Sequence, residues 1–182
     1  MQAEAYAPLM QDLADRGFLC VIVPMPFNLA VLDANGADGV QEQFPAVQRW
    51  ILMGHSLGGV MAASYLDGHA QSWDGFVLLG AYSTADLSDD GITALSITGD
   101  SDGMLDRRAA VDNEGNLGEA AREVVIPGGN HAQFGSYGPQ DGDGEASLSP
   151  EEQRALTADE IAGVFLRGRR VDEWRAGGEA IC

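Results

Sequence analysis

MGHSLGG, residues 53–59, sets one serine between glycines at the spacing G-x-S-x-G. The apolar triplet ILM (51–53) leads into it and reads as a short strand. Residues 57–66 follow as a helix whose first turn holds Gly58 and Gly59. A strand that stops, turns sharply and gives way to a helix exposes the residue at the turn. The flanking glycines then permit a strained backbone and a close approach of neighbouring chain. The stretch points to Ser56 as a nucleophile, with the N–H of Leu57 at the helix N-terminus as one oxyanion donor. The competing reading is a glycine-rich turn that only packs tightly or binds an anion. His55 reads as a scaffold residue, because its neighbour takes the apex.

Outward from this turn, strands and helices alternate. Tyr6, Leu9, Met10 and Leu13 recur at i, i+3, i+4 and i+7, the stripe of an amphipathic helix ended near Gly17. FLCVIV (18–23) is continuously apolar and stopped by Pro24, which suits a buried parallel strand. Residues 33–48 read as a loop and a weak helix. FVLLGA (76–81), ITALSITG (92–99) and EVVIP (123–127) are further strands, with a helical stretch near 106–113. Ser149, Pro150 and Glu152 form a capping box that opens a helix with Ala158, Ile161 and Phe165 on its core face. The class is α/β with an open, mainly parallel sheet of about five strands flanked by helices. Residues 1–170 form one catalytic domain, and 171–182 a loose polar tail.

A serine nucleophile needs a base, and the chain holds three histidines: His55, His69 and His131. His69 follows the elbow helix and is expected in solvent. His131 lies just past the last strand, in a glycine-rich loop at the sheet end where sites of open α/β folds gather. It is the candidate base. Asp100 and Asp102 in TGDSDGM (98–104), or Asp86 after the preceding strand, could orient its imidazole. The order Ser, Asp, His is that expected of α/β-hydrolases.

The pieces YAPLMQDLADRGFLCVIVPMPFNLAV, GHSLGG, TGDSDGM and GGNHAQFGSYG together resemble an α/β-hydrolase, close to small bacterial carboxylesterases and dienelactone hydrolases. The resemblance spans about residues 3–170. It implies Asp102 rather than Asp100 as the acid, three residues after the strand-ending Gly99. It implies ester hydrolysis through an acyl-serine: Ser56 attacks, His131 moves the proton, Asp102 orients His131. No cofactor and no metal is implied. Only residues 82–91 separate two successive strands, which leaves no room for a cap domain and favours short-chain esters. Asp141, Asp143, Glu145 and Glu152 fall on a calcium-loop spacing, but Ala146 stands where that loop needs glycine.

Composition narrows the partners. Twenty-eight acidic residues against ten basic ones give a formal charge of −18, which disfavours nucleic acid and polyanionic substrates. No run of apolar residues is long enough to span a membrane, and no signal peptide is legible at the N-terminus, so a cytoplasmic, membrane-free protein acting on a small-molecule ester is expected. Cys20 lies in an apolar run and Cys182 is the last residue, so neither suggests a disulfide framework.

The resemblance also exposes a gap. In the family a strand and a glycine-rich loop precede the helix that here begins near Glu4, and that loop donates the second oxyanion N–H. The family strand that lies between those corresponding to 18–23 and 51–53 is missing as well. The expectation is that 18–23 moves over to pair with 51–53, or that another chain fills the slot, with the edge at 18–23 a candidate homodimer surface. The second oxyanion donor would come from residues 1–4, from the loop after Val23, or from nowhere. Besides an esterase, the sequence allows a weakly active or non-catalytic module, or a thioesterase, lactonase or perhydrolase.

All ten basic residues are arginine, and so acidic a surface fits adaptation to salt. Crowded carboxylates repel one another, and dissolved ions screen that repulsion. The melting temperature should therefore rise from low to molar salt; a flat or falling curve would remove the salt-adapted reading.

Overall fold

The computed structural model describes residues 2–166 and 178–181. Six parallel strands form one sheet: β1 (Leu19–Cys20), β2 (Val47–His55), β3 (Gly75–Leu79), β4 (Thr93–Gly99), β5 (Arg122–Ile126) and β6 (Gly178–Ile181). Their order across the sheet is β1-β6-β2-β3-β4-β5. Four α-helices accompany them: α1 (Ala7–Ala14), α2 (Leu57–Leu66), α3 (Arg107–Asp112) and α4 (Pro150–Phe165).

The central strands are apolar on both faces because helices cover both. Side chains alternate along a strand, so β2 sends Ile51 to one core and Trp50 and Leu52 to the other. β3 divides in the same way, with Val77 and Leu79 on the first side and Phe76 and Leu78 on the second. The first core is closed by Leu9 and Leu13 of α1 and by Ile161 and Phe165 of α4. Gly75 is required there, because a Cβ would overlap the Phe165 ring. Ion pairs Arg16–Asp159 (2.7 Å) and Arg154–Asp12 (3.4 Å) join the two helices along their outer margin. The second core takes Ala63 and Leu66 of α2 and is finished by Trp73 and Leu87. The capping box at the start of α4 is present in both directions, with Ser149 Oγ accepting from Glu152 N and Glu152 Oε2 accepting from Ser149 N.

Two sequence expectations are overturned at the sheet's other end. Residues 18–23 do not pair with 51–53. Strand β1 pairs in parallel with β6, and β6 pairs on its other side with β2. The sheet therefore has six strands, and the slot is filled from the chain's own C-terminal region. Of the tail expected over 171–182, residues 171–177 and 182 lie outside the described residues, whereas 178–181 are strand and Ile181 is completely buried. The reason is hydrogen bonding: an open slot would leave unpaired N–H and C=O groups along β2, each costing about 1–3 kcal/mol. β1 is shorter than the apolar run predicts; just past it Val21 N donates to Ile181 O at 3.0 Å. Residues 33–48 contain a single 3₁₀ turn, Gln41–Gln43, and no α-helix.

Ile181 sits between Cys20 and Ile51 in the sheet. Ile181→Ala should lower the unfolding free energy by about 2–5 kcal/mol, read from urea midpoints. A change within about 0.5 kcal/mol, as at an exposed tail, would contradict the strand assignment.

Candidate active site

β2 ends at His55 and α2 begins at Leu57, leaving Ser56 alone at the turn with φ 55° and ψ −130°. That is a left-handed conformation, unfavourable for any residue with a Cβ. Surrounding contacts enforce it. A Cβ on Gly54 would stand 2.5 Å from Gly59 Cα, and one on Gly59 would stand 2.7 Å from the Ala81 methyl. Ser56 N donates to Leu79 O at 3.0 Å, fastening the turn to the end of β3. Ser56 is half-buried, and Leu57 is 51% exposed beside it. As the first residue of α2, Leu57 has no intrahelical acceptor for its N–H, which is free to receive an anion.

His131 lies in the loop after β5 and is buried against Asp102, which follows β4. Its Nδ1 donates to Asp102 Oδ2 at 2.9 Å. The other carboxylate oxygen accepts from Met104 N (2.9 Å) and Leu105 N (2.8 Å). Burial by itself would raise the Asp102 pKa. The hydrogen bond from His131 and those from the Leu105 and Met104 amides outweigh it and hold the carboxyl below the usual carboxylate range. With Nδ1 engaged, Nε2 is the ring nitrogen left over; it is buried and has no hydrogen-bond partner. The serine–histidine hydrogen bond is thus unmade, while the histidine–aspartate bond is in place. Gly80 makes room for the pair. Its φ is +53°, and a Cβ there would lie 2.8 Å from His131 Nδ1 and 3.0 Å from Asp102 Oδ2.

The other candidates serve elsewhere. Asp100 Oδ1 accepts from Gly128 N at 2.8 Å and shapes the turn after β5. Asp86 bonds to Ser88 in an exposed turn. His69 is exposed, with Nδ1 2.7 Å from Tyr65 O and its ring stacked on Tyr65. Cys20 is half-buried, and burial pushes its thiol up to about 11. Asp143, part of the calcium-like spacing, is committed to the backbone. Its Oδ1 accepts from Gly103 N (3.0 Å) and His131 N (3.3 Å), and its Oδ2 from Ala132 N (2.8 Å). Among the described residues no group of acidic, histidine or cysteine side chains is arranged to hold a metal ion.

His131 has three supports, of which only His55 was expected to serve as scaffold. Asp143 is one. Gln153 of α4, fully buried, accepts from Asn130 N at 3.0 Å and donates to Asn130 O at 2.7 Å, tying the histidine loop to a helix. The third is His55, whose ring lies 4.6 Å from that of His131. Tyr6 OH and His55 Nδ1 share a hydrogen bond at 2.8 Å. Burial, followed by the neighbouring His131, lowers the His55 pKa to about 3, so its ring stays neutral. No local pattern in the sequence points to this role for Asp143 or Gln153.

A cavity of about 310 Å³ adjoins Ser56 and Leu57, and residues on both proposed sources of a second oxyanion donor, Ala3 and, in the loop after Val23, Met25, line it.

Comparison with known proteins follows this geometry. The sequence model of one family, described as "Alpha/beta hydrolase family", matches residues 1–155. No curated protein matches the chain. Among solved structures, a thermophilic esterase from Thermogutta terrifontis, determined with malate bound, is 13% identical with a TM-score of 0.59. That match covers 92% of this chain and 86% of the other. A carboxylesterase from Mesorhizobium loti is 15% identical with a TM-score of 0.55, covering 90% and 84%. An Agrobacterium tumefaciens protein of unknown function is 18% identical with a TM-score of 0.51; the match covers 70% of this chain and only 56% of that one. At these identities the likeness is one of fold.

The neutral His55 has a consequence for stability. Its pKa is 6.5 in the unfolded chain and about 3 in the folded one. Between those values the unfolded state takes up a proton that the folded state refuses, so stability is complete above pH 6.5 and declines as pH falls. Protonation of surface carboxylates acts in the opposite sense, so the informative quantity is a difference between variants. His55→Gln should show a flatter dependence of urea midpoint on pH between 7 and 5 than the parent. Parallel curves would place the titration elsewhere.

Proposed function

The chain belongs to the alpha/beta hydrolase family, and from that premise we propose that it is a serine hydrolase that cleaves uncharged carboxylic esters through an acyl-serine intermediate. One observation carries the reading. His131 is held at Nδ1 by a buried carboxylate, keeps a partnerless Nε2, and has its ring 4.6 Å from that of His55, the residue before Ser56. His55 Nε2, Trp73 Nε1, Gln133 Oε1 and Arg154 Nε are also buried without a hydrogen-bond partner, but of the five only His131 Nε2 belongs to a ring whose other nitrogen a buried carboxylate holds. Proton exchange with Ser56 gives that nitrogen its use.

In the proposed reaction Ser56 Oγ attacks the ester carbonyl while its proton passes to His131 Nε2. Asp102, kept ionised by its hydrogen bonds, stabilises the resulting imidazolium and preserves the Nδ1–H tautomer. The Leu57 N–H, strengthened by the dipole of α2, receives the oxyanion of the tetrahedral intermediate. Collapse expels the alcohol, which takes the proton back from Nε2. Water then attacks the acyl-serine with His131 again as base, the acid leaves, and Ser56 is restored. Esterase and carboxylesterase are also the activities named for two of the similar structures. The acidic surface favours substrates without negative charge.

Turnover of p-nitrophenyl acetate tests the roles. Ser56→Ala should abolish it and block labelling by a fluorophosphonate. Asp102→Asn leaves His131 in the wrong tautomer and should cut kcat by on the order of 10³–10⁴, against less than about tenfold for Asp100→Asn. Equal losses at the two aspartates would defeat the assignment. Absence of both turnover and labelling in the parent would favour the non-catalytic alternative.

A further inference from the structure

Resting on that reading of Ser56, we propose that the cavity beside it is an acyl-chain groove laid along α2, and that the preferred substrates are uncharged esters bearing an apolar chain of about eight carbons. The shape comes from the helix. Gly58, Met61, Ala62 and Tyr65 all line the cavity, and they stand at i, i+3, i+4 and i+7, one continuous stripe. From Gly58 to Tyr65 the helix rises about 10 Å, and an extended alkyl chain advances roughly 1.25 Å per carbon. The groove starts at the nucleophile, where a Cβ on Gly58 would meet nothing. It ends where Tyr65 OH donates to Asp38 at 2.9 Å. Val21 and Met25 supply part of the facing wall. Asp33, Ala34, Gly36 and Ala37, from a stretch that forms no α-helix, also line it.

Chemistry selects the occupant. Among the described residues Asp33 is the sole charged side chain lining the cavity besides the neutral His55, and its sign repels anionic substrates. Two of the lining residues are exposed apolar side chains, Leu29 at 45% and Leu57 at 51%, and Phe27, next in sequence to the lining residue Asn28, is 88% exposed. Phe27 and Asn28 are both left-handed, at φ 52° and 60°. An aromatic residue held in a strained conformation with its ring in water is a costly arrangement, and such outliers gather at ligand clamps. Exposed apolar surface joined to a concave apolar groove marks a binding site. A net charge of −18 disfavours a second copy and an anionic membrane as the occupant. A neutral alkyl chain attached to the carbonyl at Ser56 meets every requirement. The absence of a cap, which favoured short chains, does not bear on a groove that runs along the helix.

The test is a p-nitrophenyl ester series from acetate to palmitate. In the parent, kcat/KM should rise by roughly tenfold or more from acetate to octanoate and fall again by palmitate. Ala62→Leu, which fills the groove midway, should lower the octanoate-to-acetate ratio by about tenfold. Gly58→Leu, placed where added atoms have space, should lower the butyrate-to-acetate ratio as well. A ratio that declines steadily from acetate in the parent, or one unchanged in both folded variants, overturns the proposal. Binding of methyl octanoate and methyl acetate to the Ser56→Ala protein, followed by NMR titration, separates the two readings. Octanoate bound at least about tenfold tighter, without turnover in the parent, keeps the groove and rejects the hydrolase. Equal affinities with active turnover keep the hydrolase and reject the groove. Concentration-dependent dimerisation that protects the Phe27–Leu57 face, with no chain-length effect, assigns the face to a second copy and also overturns the proposal.

Discussion

At the elbow, a Cβ on Gly54 would stand 2.5 Å from Gly59 Cα, so β2 and α2 can meet only as bare backbone. That contact leaves Ser56 no room to relax. Its φ of 55° is held against the ordinary preference of a serine by glycine on both sides and by the bond from Ser56 N to Leu79 O. The rest of the site inherits the position. Residues 80 and 81, which follow β3, must stay small because the elbow and the His131–Asp102 pair press against them. The first turn of α2 then points its unpaired N–H groups at whatever Ser56 holds.

The polar groups of the site are buried yet nearly all satisfied, which gives the loops rigidity that their composition would not suggest. Asp143 accepts four backbone N–H groups, from residues 103, 131, 132 and 144. Gln153 reaches from α4 to hold Asn130 by both of its amide functions. A glycine-rich loop is thereby fixed to a helix and to a neighbouring loop, and His131 is delivered to Asp102 without a flexible tether. Among the described residues the exceptions at the site are His131 Nε2, His55 Nε2 in the adjacent ring and Gln133 Oε1.

Hydrogen-bond economy also explains the sheet. β2 is nine residues long and carries the elbow at its end, so a bare edge along it would expose the strand on which the position of Ser56 depends. β6 closes that edge, with Ile181 entering the first core between α1 and α4 on one side and the sheet on the other. The second core rests on α2 and the tryptophans Trp50 and Trp73.

Local chemistry was legible in the sequence wherever it acts over a few residues. The elbow, the span of α2, the capping box at Ser149, the apolar strands and the histidine loop all follow from spacing, glycine placement and side-chain polarity, which set backbone conformation locally. The choice of Asp102 came from resemblance, because Asp100 and Asp102 differ in nothing that composition reveals. Only the tertiary structure separates them: Asp100 turns toward Gly128 N, and Asp102 toward His131 Nδ1. It alone decides that residues 178–181 are a strand, since four residues after a polar stretch become one only when two unpaired edges wait for them. It alone shows the cavity along α2, which residues 33, 34, 36 and 37 help to line without forming the helix that their pattern weakly suggests. Local preference writes the elements and the reactive residues; long-range pairing and close packing settle which of them meet, because neither a hydrogen bond across the sheet nor a cavity wall leaves a periodic trace in the chain.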